Sequence, residues 1–258
     1  MARWKGVTTV ATIVRTAVER DIQYPAAALA YYSFVSLLPL LVILLAVLGE
    51  PAAREVRTTT LQYLTPAARE LVAEALTDSR GQVGATLFAV GVLGWSGANI
   101  TAGFQTVVED VEGEIDRSLA AHLRDGAAVL GSLTLGIGSI LAVSTLFVLL
   151  PDAPLALTGG LVALPVALTV SFLPLYYFLS RAIDSVRTAA PGAVTSAVGW
   201  TLMLAGIRFY AENAGAYAIF GVLSGLLLIL TSLYAAAVLL MAGHVVNATL
   251  SSVVAPGE

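Results

Sequence analysis

Metal-dependent or acid–base chemistry in this sequence would have to be built from two histidines, His122 and His244, and seventeen carboxylates. The histidines stand far apart and offer little for a His-based metal site. No cysteine is present, which removes thiolate metal sites, cysteine nucleophiles and disulfides together. The densest charge is Glu109-Asp110-Val111-Glu112-Gly113-Glu114-Ile115-Asp116-Arg117. A calcium loop of the EF-hand type wants Gly at its sixth position and Glu at its twelfth. Counted from Asp110, those places hold Ile115 and Ala121. The run therefore reads as a solvated acidic loop. No Gly-x-x-x-x-Gly-Lys phosphate loop occurs, which argues against ATP-driven work by this chain alone. No catalytic residue, metal ligand or cofactor is assigned, and the chain is not expected to be an enzyme.

The informative polar residues lie inside apolar runs. Tyr31, Tyr32, Ser33 and Ser36 place hydroxyls in the stretch Pro25 to Leu48, and Pro39 removes a backbone donor there. Lipid offers such groups no partner, so that face should turn toward other helices. Asn99 and Gln105 follow in the second apolar run, and His244 and Asn247 end the last one.

The elements that must position these residues are membrane helices. The 258 residues are 58% hydrophobic and 12% charged, with a mean hydropathy of +0.87, and no polar stretch is long enough for a separate soluble domain. About 20 apolar residues at ~1.5 Å each cover the roughly 30 Å hydrocarbon core. Six spans are expected, at 25–48, 83–103, 127–150, 155–179, 190–210 and 219–247, making an all-α six-transmembrane-helix bundle in a single membrane domain. Residues 1–24 lack the continuous apolar run of a signal peptide. Val7, Val10, Ala11, Val14, Val18 and Ile22 instead mark an amphipathic interfacial helix. Thr65-Pro66 signals short helices in the first extracytoplasmic loop. Small residues predict close packing at Ala28, at Gly84, Gly91, Gly94 and Gly97, and at the Gly221/Gly225 pair. Tyr176 and Tyr177 read as an interfacial aromatic belt. The span cores show no clear acidic residue, which speaks against proton coupling through a buried carboxylate.

Eight lysines and arginines fall on the side of the amino terminus and the second and fourth loops, against four in the first loop. Both termini are thus expected in the cytoplasm, and the chain in the cell membrane. Counting ~1.5 Å per residue puts Tyr31 and Tyr32 roughly 10 Å in from the cytoplasm, Asn99 in the cytoplasmic half and Gln105, His244 and Asn247 near the inner interface. Tyr31, Tyr32, Ser36, Asn99, Gln105, His244 and Asn247 are therefore candidates for either an inward-opening polar path or a packing cluster. Arg208, near the outer boundary, is a candidate anion contact. The lipid bilayer is the expected partner. The balance of net charge −4 without a basic patch excludes nucleic acid, and a homo-oligomer stays open.

The run Ala26-Ala27-Ala28-Leu29-Ala30-Tyr31-Tyr32-Ser33-Phe34-Val35-Ser36-Leu37-Leu38-Pro39-Leu40 resembles the first-helix signature of the YihY/BrkB family of multi-pass membrane proteins. Pro191-Gly192-Ala193, Tyr217-Ala218-Ile219-Phe220-Gly221, and Gly243 with Asn247-Ala248 agree with it, so the resemblance covers nearly the whole chain. It departs at Ser232, where the family pattern has Trp, and at Val245, where it has Glu, leaving His244 as the ionisable group there. The resemblance implies a six-span inner-membrane fold whose members were once labelled ribonuclease BN and have been suggested to be transporters or virulence-associated factors. Hydrolysis of RNA by a metal needs converging His, Asp and Glu ligands. This sequence has no His-x-His-x-Asp-His string, and its carboxylate run repels RNA. Two readings remain, a transporter or permease-like protein for a small solute or lipid, and a membrane organising protein without transport.

Overall fold

The structure is a computed structural model that describes residues 15, 21–37, 39, 40, 79–113, 118–149, 154–180, 183–212 and 222–254. Among the described residues the chain forms six helices and no strand: α1 through 23–37, then α2 Ser79–Glu112, α3 Leu119–Leu149, α4 Pro154–Leu179, α5 Val186–Glu212 and α6 Val222–Val254. Five of them, α2 to α6, are long and apolar enough to cross a membrane. The interfacial helix expected over 1–24, the outer part of the first span and the expected loop helices fall almost wholly outside the described residues.

The helix ends carry local signals. Ser118 caps α3, its Oγ accepting the Ala121 N–H at 3.3 Å. Ser185 caps α5 in a reciprocal pair: its Oγ accepts the Thr188 N–H at 3.3 Å, and its own N–H donates to Thr188 Oγ1 at 3.3 Å. Each cap satisfies a donor that the first helical turn leaves open. After α2, Gly113 adopts φ +95° and its N–H bonds Glu109 O at 2.8 Å, the left-handed stop that glycine makes without a steric penalty. Pro154 opens α4, where a missing N–H goes unmissed.

Helices α2 to α6 close a ring. α3 packs on α4, α4 on α5, α5 on α6, and α2 fits between α6 and α3. α1 lies along α2, with Leu29 against Gly103 and the Tyr32 ring edge-on to Trp95 at 5.2 Å. α4 supplies the centre of the core, with Leu168, Phe172, Leu175 and Tyr176 all but fully buried. Large apolar side chains also cover the outside, among them Leu87, Phe88, Leu141, Val162, Leu202 and Phe209. In water such a surface would be a liability, and against lipid it is the expected one.

The structure extends four of the expected spans at one end of the bundle. α2 runs on to Glu112, α3 begins at Leu119, α5 begins at Val186 and α6 continues to Val254. The added turns carry polar residues that an apolar-run count stops at, yet their polar groups find partners between helices. Several packing expectations need correction. Ala28 is exposed, and Ala26 and Ala30 carry the buried small-residue face of α1. A Cβ added at Gly84, Gly91, Gly94 or Gly225 would meet nothing within 4 Å, whereas one at Gly97 would meet Leu130 at 3.2 Å. Tyr176, expected in an interfacial belt, is 2% exposed, because its hydroxyl is tied down inside the bundle.

Candidate functional site

The densest polar packing lies where α4, α5 and α6 meet. Tyr176 on α4 donates to Leu240 O at 2.8 Å, and Ser196 on α5 donates to Leu239 O at 2.8 Å. The two hydroxyls also touch each other at 2.5 Å. Two protons cannot serve three contacts at once, so the hydroxyls share the two carbonyls between them. Gly243 makes this approach possible, since a Cβ there would overlap Ser196 Oγ and Tyr176 Oη. One turn further, Asn247 clips α6 to α5: its Oδ1 accepts the Gly192 N–H at 2.6 Å and its Nδ2 donates to Ala189 O at 3.1 Å. A Cβ on Gly192 would overlap Gly243 O. Trp200 adds a third tie, donating from Nε1 to Ala236 O at 3.0 Å.

Beside this junction sits an ionisable pair. His244 Nε2 on α6 lies 3.3 Å from Glu112 Oε1 at the end of α2, and the two side chains are 5% and 9% exposed. The ring nitrogen is close but not aimed for a hydrogen bond, so this contact is electrostatic and not an aligned bond. Ser180, just past α4, donates to the same Glu112 oxygen at 2.5 Å. Serine, carboxylate and imidazole thus occur together, but the hydroxyl bonds the carboxylate and not the imidazole. A nucleophile with its base requires the other order. A cavity of about 10 Å³ opens next to His244 and Tyr176, walled by Phe104, Val107, Leu175, Leu179 and Met241; it is about the size of a single water.

A second polar contact lies between α2 and α3. Gln105 donates to Asp125 Oδ2 at 3.5 Å, and Arg124 reaches Asp125 Oδ1 at 3.3 Å. Asp125 is 2% exposed and falls within the apolar window Ala120–Leu146.

The candidate residues named from sequence are distributed over several places. Tyr31 is exposed and stacks edge-on with Tyr32 at 5.4 Å. Ser36 donates to Tyr32 O at 2.7 Å, and Asn99 donates to Trp95 O at 2.8 Å, both within their own helices. Gln105 meets Asp125, His244 meets Glu112, and Asn247 belongs to the α5–α6 clip. The cavity beside His244 is not lined by Tyr31, Tyr32, Ser36, Asn99, Gln105 or Asn247. Arg208 is exposed near the far end of α5. Among the described residues, no group of three or more His, Asp and Glu side chains is arranged to hold a metal.

Sequence reasoning missed Glu112, Asp125, Ser180 and Ser196. Glu112 belongs by sequence to a solvated acidic loop, and the structure corrects this by burying its side chain against His244. The signal is present in the sequence, because Phe104, Val107 and Val108 carry the buried face of α2 on from Ile100 past the expected end of its span, and Glu112 extends that face by one more turn. Asp125, buried near the start of α3, precedes the expected span 127–150, so an apolar-run count does not reach it.

A family profile described as Virulence factor BrkB matches residues 13–257. No curated protein and no solved structure matches the chain.

Proposed function

We propose that this chain, which belongs to the virulence factor BrkB family of membrane proteins, acts as a permease-like transporter for a small solute or lipid. The observation that carries this reading is the Glu112–His244 contact, two ionisable side chains 3.3 Å apart and almost wholly buried where α2, α4 and α6 converge. Ionisable groups are expensive in a membrane bundle, and those retained there commonly serve ion or proton relays or substrate paths. Glu112 and His244 lie close enough to share one proton once the imidazole turns to aim Nε2 at the carboxylate, and Ser180 can follow by turning its hydroxyl. Such a site can couple a proton to the movement of a solute. With both termini in the cytoplasm, the pair stands at the cytoplasmic end of the bundle. Tyr31, Tyr32, Ser36 and Asn99 flank the α1–α2 side as the approach to it.

The test is uptake by purified protein in liposomes, with a panel of radiolabelled amino acids, nucleosides and organic anions and a fluorescent phospholipid that reports lipid movement. Uptake above protein-free liposomes for one class, lost in Glu112→Gln while the folded yield is retained, supports the reading. Equal signals with and without protein across the panel overturn it. The second reading, an organising protein without transport, draws on the α4–α5–α6 junction. There Tyr176, Ser196, Trp200 and Asn247 all spend their hydrogen bonds on backbone groups inside the bundle or on one another.

A further inference from the structure

On the outer face of the ring, α3 and α4 leave a groove of about 260 Å³ lined by Arg124, Ala127, Ala128, Gly131, Ser132, Leu135, Pro174 and Phe178. Small residues make its floor. A Cβ added at Gly131 would meet nothing within 4 Å, so the space over that glycine is open. The Ser132 hydroxyl on its wall is buried and has no partner among the described residues.

The one charged residue lining this groove is held at its end. Arg124 Nη2 donates to Phe178 O at 3.3 Å and to Asp125 Oδ1 at 3.3 Å, and the guanidinium lies over the Phe178 ring at 5.9 Å from its centre. Asp125 is buried below it, while the Arg124 side chain is 54% exposed. The Nε and Nη1 donors bond nothing among the described residues; they lie on either side of Cδ, so each offers a single charge-assisted N–H to a phosphate oxygen.

Dimensions select the occupant. Arg124 and Leu135 are eleven residues apart on α3, a rise of roughly 16 Å. One leaflet of a hydrocarbon core about 30 Å thick measures about the same. Arg124 stands near the helix ends, at headgroup depth, and the apolar floor runs from there toward the bilayer centre. A cation at one end and an apolar slit one leaflet long match an anionic head with an acyl tail.

We propose that this groove is a binding site for a single anionic phospholipid, its phosphate on Arg124 and one acyl chain along Ala127, Ala128, Gly131 and Leu135. The lipid comes from the leaflet on the side where α2 joins α3. The site is separate from the Glu112–His244 pair, and its occupancy does not require transport.

The experiment is native mass spectrometry of the detergent-purified chain, supplied with equal amounts of phosphatidylglycerol and phosphatidylcholine carrying the same acyl chains. The parent protein is expected to retain one phosphatidylglycerol in preference by about fivefold, the factor one guanidinium at a membrane surface supplies. Arg124→Gln should bring the two lipids to equal retention. Gly131→Phe fills the slit from a position with open space above it, and should lose the retained lipid at unchanged folded yield. If Arg124→Gln fails to fold because Asp125 loses its cationic neighbour, Gly131→Phe decides alone. Equal retention of both lipids by the parent would mean annular lipid only and would sink the site, as would a Gly131→Phe protein that keeps phosphatidylglycerol as well as the parent does. A chain that retains the lipid selectively yet moves nothing in liposomes would leave this site standing and remove the transport reading.

Discussion

Asn247 and Asn99 carry the same side chain in two different settings, and the difference predicts how each responds to loss of its amide. Asn247 is 1% exposed and holds both the Gly192 N–H and the Ala189 carbonyl. Asn247→Leu removes both bonds and strands polar backbone in a dry contact, so it should lower stability by about 1–3 kcal/mol, read as an earlier thermal transition in detergent. Asn99 is half-buried and, among the described residues, bonds only its own helix at Trp95 O. Asn99→Leu should therefore change stability by no more than about 0.5 kcal/mol, and if Asn99 lines a solute path the same variant should abolish uptake. An Asn99→Leu protein that melts as early as Asn247→Leu would place Asn99 in packing instead.

Among the helices, contact distance is set by a few glycines, and these are not the ones that composition singles out. The α5–α6 approach depends on Gly192 and Gly243, where an added Cβ has nowhere to go but into opposing backbone or a buried hydroxyl. Gly192→Ala should cost about 1–3 kcal/mol through overpacking. Gly91→Ala, on the open face of α2, should be neutral or gain up to about 1 kcal/mol from helix propensity. Equal melting shifts for the two would contradict the assigned interface. Capping gives an independent check: Ser118→Ala removes the acceptor of the Ala121 N–H and should destabilise α3 by about 0.5–2 kcal/mol.

For the whole molecule, the arginine asymmetry predicts that both termini face the cytoplasm, and a sequence without cysteine makes single-cysteine labelling clean. Thr65→Cys should react with an impermeant maleimide on intact cells, and Ala2→Cys only after lysis. The opposite pattern would reverse the bundle and put the Glu112–His244 pair at its outer end.

Apolar run length alone predicted long helices able to cross a membrane, and α2 to α6 are long and apolar enough to do so, because crossing hydrocarbon is a demand on average composition over about 20 residues. The motifs around Tyr31 and Pro191-Gly192-Ala193 likewise carried the family. Azimuth was not legible. A lipid-facing surface is as apolar as the core, so α4 and α6 show no polar face to say which side turns inward. Only the meeting of helices decided that Tyr176 lies in the core and not at an interface, that Gly192 and Gly243 set the α5–α6 distance while Gly91 and Gly94 face open space, and that Glu112 and Asp125 are buried. Each of those outcomes depends on residues from helices distant in sequence finding one another, and no local window contains both partners.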